Sequence, residues 1–447
     1  MITRKETIEA RGFVATDIMN LKAFPNNFYR HGKVEGIDGK VALTRDWLGE
    51  NPIHYYPDVK RKELVVASNI CDIKQYREES GAEFSWERVR AVHNNTRFAF
   101  DSRSFGSLCP IEEEIMPTLQ EGSIADIDPG NLQAACQKLR GMFQASVEQR
   151  LSTIPDERIG LLLSGGLDSM SVGYVLSGFK DRKITAFTLK VDENDPDIVK
   201  SRQFASVFGL NLVEVGVRKN GSGLLISVQK YSPGRRLAYE RETESCMDAD
   251  SVVRKALLAG GSPKKDNALC SLSMYLVGKA VAAEGISTVF CGEGPNEMFN
   301  DYGFNPQSYG YATQDAGDIG FRMALTFGDK KSDLVLGRGG LPKHALARMG
   351  KIFAEYGIRL ESPYFDQQLI SIMTRIPHVV DWKTIKQHVM GKMFAGEPFV
   401  QFIDGTAKVK FQDGSGISRL FGEYDQARLA RIFLEIYGVK KEYPEYP

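Results

Sequence analysis

Six consecutive residues, Ser164-Gly165-Gly166-Leu167-Asp168-Ser169, carry the side-chain types needed to grip a phosphate group. Two glycines allow a tight turn and a close approach of backbone to ligand. Ser164 and Ser169 add hydroxyl donors. A helix starting at this point offers free N–H groups and the positive end of its dipole, which suits an anion. Asp168 repels an anion directly, so the chemistry open to it is holding Mg²⁺ against the phosphates. A Walker loop would end in Gly-Lys-Ser/Thr, and no such lysine is present. The bland alternative is a glycine-rich turn capped by serine.

Elements of a definite kind must present such a loop. Ile159-Gly160-Leu161-Leu162-Leu163 is a continuous apolar run, as in a strand buried on both faces. A helical stretch follows over 168–176. Ile184–Leu189 reads as a second strand, Asp197–Phe208 as a helix and Asn211–Val217 as a third strand. Upstream, Leu132, Cys136, Leu139, Phe143, Val147 and Leu151 recur at spacings of three and four, the mark of an amphipathic helix. Ala268–Ala283 reads as a helix and Val289-Phe290-Cys291 as a later buried strand. The chain from about Leu341 onward reads as mostly helical. Alternation of this kind predicts an α/β fold, a doubly wound parallel sheet covered by helices, with a helical C-terminal part.

The 447 residues suit two or three domains, and a composition 42% hydrophobic supports a large core. Lysine plus arginine and aspartate plus glutamate balance at 57 each. A neutral chain has no electrostatic footprint for nucleic acid or an anionic membrane. The six cysteines lie at 71, 109, 136, 246, 270 and 291, with no CxxC spacing. Zinc and redox motifs are thereby disfavoured, and reduced thiols in a cytoplasm fit best. No signal peptide and no spanning segment is expected. Residues Leu119–Gly130 form the best linker, which divides the chain into an α+β unit over 1–122 and the α/β unit over 123–447.

The loop resembles the PP-loop of the N-type ATP pyrophosphatases, which split ATP between its α- and β-phosphates and adenylate a substrate oxygen. Two further segments resemble the asparagine synthetases and β-lactam synthetases within that group. Cys291-Gly292-Glu293-Gly294-Pro295-Asn296-Glu297-Met298-Phe299 is similar to their Ser-Gly-Glu-Gly-Ser-Asp-Glu-Leu-Phe. The resemblance implies that Gly292 lines the nucleotide site and that Glu293 handles the amine nucleophile. It implies an aspartate for Mg²⁺ where this chain has Asn296. An amide offers an oxygen without charge, so metal binding should be weaker unless Glu297 compensates. Lys408-Val409-Lys410-Phe411-Gln412-Asp413-Gly414-Ser415-Gly416 looks like the family's lysine-to-glycine segment, which makes Lys408 the catalytic lysine and Lys410 its rival. Phe187-Thr188-Leu189 is similar to the second strand that borders the adenine. Glu361-Ser362-Pro363-Tyr364-Phe365-Asp366 resembles Arg-x-Pro-Phe-Leu-Asp. The family has Glu then Arg where this chain has Arg359 then Glu361, so no role carries over to those two.

Near the N-terminus, Thr44 to Tyr56 resembles a segment of class II glutamine amidotransferase domains, and Leu64–Ile73 continues it. Residues from about 36 to 120 therefore look like the back half of a degenerate N-terminal-nucleophile sandwich. Working glutaminases expose an N-terminal cysteine nucleophile; here the chain starts Met1-Ile2 and its first cysteine is Cys71. The expectation is an inactive, truncated glutaminase-like domain that buries one face of the synthetase unit.

Taken together these resemblances imply an AMP-forming amide ligase using ATP and Mg²⁺. Its partners would be a small-molecule carboxylate and an amine, on one molecule or two, as in a β-lactam synthetase of antibiotic biosynthesis. The alternatives are ammonia-dependent asparagine synthesis and a non-catalytic nucleotide-binding relative. The oligomeric state stays open.

Overall fold

A computed structural model describes residues 6–10, 13–17, 33–37, 40–45, 53–67, 70–92, 96–101, 111–114, 132–221, 223–233, 238–327, 345–376, 384–403 and 415–438. The linker candidate Leu119–Gly130, the boundary at 122 and the Lys408–Gly414 stretch lie outside them, as do residues 46–52.

The first part of the chain is built on strands. It holds β1 (Glu6–Ala10), β2 (Phe13–Asp17), β3 (Lys33–Ile37), β4 (Lys40–Arg45), β5 (His54–Asp58), β6 (Glu63–Ala67), the helix α1 (Ile70–Glu79), β7 (Arg90–Ala91), β8 (Thr96–Phe100) and β9 (Ile111–Glu114). They form two sheets, ordered β1-β2-β6-β5-β7 and β3-β4-β8-β9. Successive side chains on a strand point to opposite faces. Tyr55, Leu64 and Val66 accordingly pack against Val41, Leu43, Phe98 and Phe100 of the second sheet. Tyr56, Val65 and Ala67 face the other way, against α1 and against Phe433 and Tyr437 near the C-terminus. Trp86 is the hinge of that contact, edge-on to both rings at 5.4 and 4.8 Å.

The larger part begins with α2 (Leu132–Ser152), and all six apolar positions read from its periodicity are buried. It continues through β10 (Arg158–Leu162), α3 (Leu167–Ser177), β11 (Lys183–Lys190), α4 (Pro196–Phe208) and β12 (Asn211–Asn220). Next come β13 (Gly223–Ser232), β14 (Ala238–Asp248), α5 (Ala249–Gly260), α6 (Lys265–Ala283) and β15 (Thr288–Phe290). After the short α7 (Pro295–Met298) follow α8 (Ile319–Phe327), α9 (Ala345–Glu355), β16 (Arg359–Glu361), α10 (Gln367–Arg375), α11 (Ile385–Met393), α12 (Ile417–Leu420) and α13 (Gln426–Tyr437).

Seven strands make one sheet, ordered β14-β13-β12-β11-β10-β15-β16. The five from β12 to β16 are parallel neighbours. Leu161 and Leu163 pack with Phe143 of α2, Met170 of α3 and Phe204 of α4. Leu162, Phe187 and Val213 pack with Val253 of α5 and Leu272 of α6. Strand alternation thus feeds two separate cores, one on each face of the sheet. The sheet departs from the parallel expectation at one edge, where β12, β13 and β14 run antiparallel. Strand β14 is polar on both faces, so burial does not write an apolar pattern into it. Among the described residues no helix is long and apolar enough to cross a membrane.

Candidate active site

Strand order fixes where the site lies. From β10 the chain proceeds to β11 and β12 on one side, and returns much later as β15 on the other. A crevice opens outside the carboxyl ends of parallel strands at such a reversal. The loop Ser164–Ser169 leaves β10 there.

Its first glycine is required. Gly165 has φ +72, and a Cβ on it would lie 2.8 Å from the Cα of Asp197 at the start of α4. Gly166 caps α3 without a side-chain hydrogen bond. The loop is braced instead by Ser169, whose Oγ donates to Gly166 O at 3.0 Å and accepts from Ser164 N at 3.2 Å. Ser164 Oγ lies 3.1 Å from Ser169 Oγ. Gly166 is exposed, and it precedes the N-terminus of α3, a place whose free N–H groups can receive an anion.

The second segment packs directly on this loop. A Cβ on Gly292 would stand 2.5 Å from Asp168 C and Ser169 N, so only glycine permits the approach. Backbone pairing sets the turn: Cys291 N donates to Glu361 O at 2.8 Å, and Ser362 Oγ donates to Glu293 O at 2.8 Å. Glu293 is half-buried in that turn. Glu297 is buried and its Oε1 accepts from Tyr302 Oη at 2.7 Å. Tyr302 as a residue is 41% exposed, but its hydroxyl is turned to the buried Glu297. Loss of solvent, then Glu297 and Glu293, hold that phenol well above its usual range.

One residue joins the two segments. Lys386, on α11, is buried, and its Nζ lies 2.9 Å from Asp168 Oδ2, 2.9 Å from Asp301 Oδ2 and 2.8 Å from Asn296 Oδ1. Burial works against the ammonium, yet Asp168 and Asp301 prevail and its pKa is raised. Lys386 shares the buried stripe of α11 with Val389, Met390 and Met393. A lysine in step with an apolar stripe was the available sequence signal, and it marks a charge that must be paired inside. Asp301 stands ten residues beyond Cys291 and was equally in view.

Phe187, Thr188 and Leu189 are buried side chains at the end of β11, next to the loop; Leu163 N donates to Phe187 O at 2.9 Å. Two of the three are apolar, and Thr188 adds a buried hydroxyl. Lys408 and Lys410 lie outside the described residues. On one flank of their stretch Phe402 packs on Phe204 and Phe208 of α4, with centroids 5.3 and 5.8 Å away. On the other, Ser415 is buried and Arg419 reaches Asp195 at 3.4 Å, just before α4. Arg359 and Glu361 belong to the scaffold: the buried Glu361 pairs with Arg359 and lies 3.3 Å from Arg150 Nε. Arg150 also donates to Phe365 O at 2.7 Å. Asp366 caps α10 through Gln368 N and Leu369 N, both at 3.0 Å.

Among the described residues no group of three or more His, Cys, Asp or Glu side chains is arranged to hold a metal. Mg²⁺ does not need one: it is commonly held by one or two carboxylates plus substrate phosphates. Asp168 suits that use, since its Oδ1 is buried without a hydrogen-bond donor while Oδ2 is taken by Lys386.

Residues 138–221 match the asparagine synthase family, a span from α2 through the loop to β12. Over 285 residues the chain is 22% identical to asparagine synthetase B (glutamine-hydrolyzing) of Escherichia coli, covering 63% of this chain and 45% of that one. Over 309 residues it is 25% identical to the mouse (Mus musculus) glutamine-hydrolyzing asparagine synthetase, covering 64% and 46%. The Lotus japonicus enzyme gives 21% over 299 residues, 65% and 44%. The matched region spans less than half the length of these curated relatives. Residues 138–221 thus match the asparagine synthase family model, and the chain is distantly similar to the asparagine synthetases.

Proposed function

We propose that this protein is an ATP-dependent, AMP-forming amide ligase. A substrate carboxylate oxygen attacks the α-phosphorus, the bond to the bridging oxygen breaks, and pyrophosphate departs into the Ser164–Ser169 loop. An amine nitrogen then attacks the acyl carbon of the mixed anhydride, and AMP leaves as the amide forms. The observation that carries this reading is the contact of Gly292 with Asp168 and Ser169, which holds the Glu293 turn against the phosphate cradle.

Within that scheme the loop N–H groups and the two serines receive the polyphosphate. Asp168 would hold Mg²⁺, which supplies charge neutralisation on the phosphates when bound. Glu293 takes a proton from the attacking ammonium or amine. Lys408 stabilises the negative charge that develops on the reacting phosphate and the tetrahedral intermediate. Phe187–Leu189 border the adenine.

The reading is β-lactam synthetase-like and includes no glutamine hydrolysis. Cys71, the first cysteine, sits in α1, and burial pushes its thiol far up, the reverse of an activated nucleophile. On this reading the amine arrives on a substrate, either the adenylated molecule itself or a second one. Glu293 gives one observation in favour of a second reading, ammonia-dependent asparagine synthesis, because asparagine synthetases carry glutamate at this place.

Exchange of labelled pyrophosphate into ATP, screened against amino-acid-derived acids, tests the proposal. Exchange should appear only with a cognate acid, with AMP released once the amine is supplied. ATP bound but no exchange or AMP with any acid would overturn the ligase. Asparagine formed from aspartate and ammonium would decide for the second reading.

A further inference from the structure

The metal arrangement of this chain differs from the pattern its second segment resembles, and the difference has a partner in space. Position 296 holds an amide where that pattern holds an acid. Its Oδ1 is turned to Lys386. Glu297, the neighbouring acid, is engaged with Tyr302. Five residues after Asn296, a further carboxylate reaches the same ammonium: Asp301 Oδ2 lies 2.9 Å from Lys386 Nζ, and the Asp301 side chain is 5% exposed. Asp301 N donates to Asn296 O at 2.8 Å, so one backbone turn fixes both side chains together.

We infer that Asp301 supplies the second carboxylate of the Mg²⁺–polyphosphate site in place of the acid absent at position 296. This rests on the ATP-binding reading above. Counting formal charges, Asp168 and Asp301 carry two negatives against the single positive of Lys386. The excess negative charge, together with the donor-free Oδ1 of Asp168, leaves room for one more cation. A carboxylate pair shared with a lysine is too weakly charged to hold Mg²⁺ alone. Phosphate oxygens complete the coordination, as is usual for this ion. Metal and nucleotide therefore bind together, with Lys386 turning from the carboxylates to the phosphates as they enter.

The test measures ATP binding to the full chain by calorimetry, once in Mg²⁺ and once in EDTA, with Mn²⁺ binding followed by electron paramagnetic resonance. In the wild type Mg²⁺ should tighten ATP binding, and Mn²⁺ should bind only with ATP present. Asp301→Asn should cut the Mg²⁺-dependent gain at least tenfold while binding in EDTA stays equal or tightens. The double variant Asn296→Asp/Asp301→Asn should recover the gain to within about threefold. Asn296→Asp alone, in which Asp301 remains, should change it less than threefold. A loss in Asp301→Asn that is equal with and without Mg²⁺ would overturn the inference, because Asp301 would then only seat Lys386. A tenfold or larger gain in Asn296→Asp alone would also overturn it, since the second carboxylate would have been missing all along. If instead the wild type binds no ATP even with Mg²⁺, the ATP reading itself falls.

Discussion

Two buried charge clusters stand close to the same strand ends and behave as opposites. Around Lys386, one ammonium faces Asp168, Asp301 and the Asn296 amide. Around Glu361, one carboxylate faces Arg150 and Arg359. The surplus charge is negative in the first cluster and positive in the second. What differs is how the surplus is spent. Arg150 turns its remaining donors to Ser146 O at 3.1 Å and Phe365 O at 2.7 Å, so its charge ties α2 to the segment after β16. Asp168 keeps a buried oxygen with no donor. A cluster whose surplus donors are spent on backbone carbonyls is scaffold, even though Arg150 Nε meets Glu361 as an ion pair at 3.3 Å and not as a hydrogen bond. On the proposed reading, a cluster with a buried acceptor left over beside the Ser164–Ser169 loop can take an incoming cation.

Asp168→Ala should separate the two most sharply. Removing the loop carboxylate should abolish pyrophosphate exchange, a loss of at least a hundredfold, while the melting temperature changes by only a few degrees. Near-normal exchange in this variant would remove Asp168 from the metal site and end the contrast. Glu361→Gln is the mirror experiment. Breaking a buried pair leaves uncompensated charge, which costs roughly 3–5 kcal/mol. Denaturant unfolding should show a loss of that order, with exchange per folded molecule retained within a few-fold. A stable variant that had lost exchange would place Glu361 in the chemistry instead.

The difference between the clusters also explains what the sequence made legible. The six apolar positions of α2, the run Ile159–Leu163 and the tight turn at Gly165 each follow from a local rule of periodicity, burial or conformation, and each holds. Partnerships between distant residues obey no such rule. Lys386 lies 218 residues from Asp168 in sequence, and only the packing of α11 on α2 brings it to the loop. Asp301 needed the turn geometry that links it to Asn296. The exchange of Arg359 and Glu361 relative to the family pattern was visible, but its meaning depended on Arg150, two hundred residues upstream. The β13–β14 hairpin escaped for the reverse reason: most of its residues are partly or fully exposed, so the alternation that announces a strand is faint.

Asp197 gives the smallest effect and sharpens the comparison with an intermediate case. It lies in the first turn of α4, directly behind Gly165. Burial chiefly, with Asp195 adding and Lys200 opposing, lifts its pKa from 3.8 to about 6. A carboxyl whose pKa is raised by folding contributes stability below pH 4 that is lost as pH climbs through 6. Ionisation of Asp197 should therefore cost stability at neutral pH, at most about 3 kcal/mol. Its place at a helix N-terminus returns about 0.3–1 kcal/mol of that. Asp197→Asn should accordingly stabilise the protein by at most roughly 2–3 kcal/mol at pH 8 and by almost nothing at pH 4. Unfolding free energies from denaturant titrations at the two pH values decide the matter. Equal stabilisation at both would mean that the carboxyl is not desolvated against the loop. Polyphosphate binding should tighten alongside, because a negative charge behind the cradle is lost; unchanged ATP affinity at pH 8 would show that the loop screens Asp197 from the site.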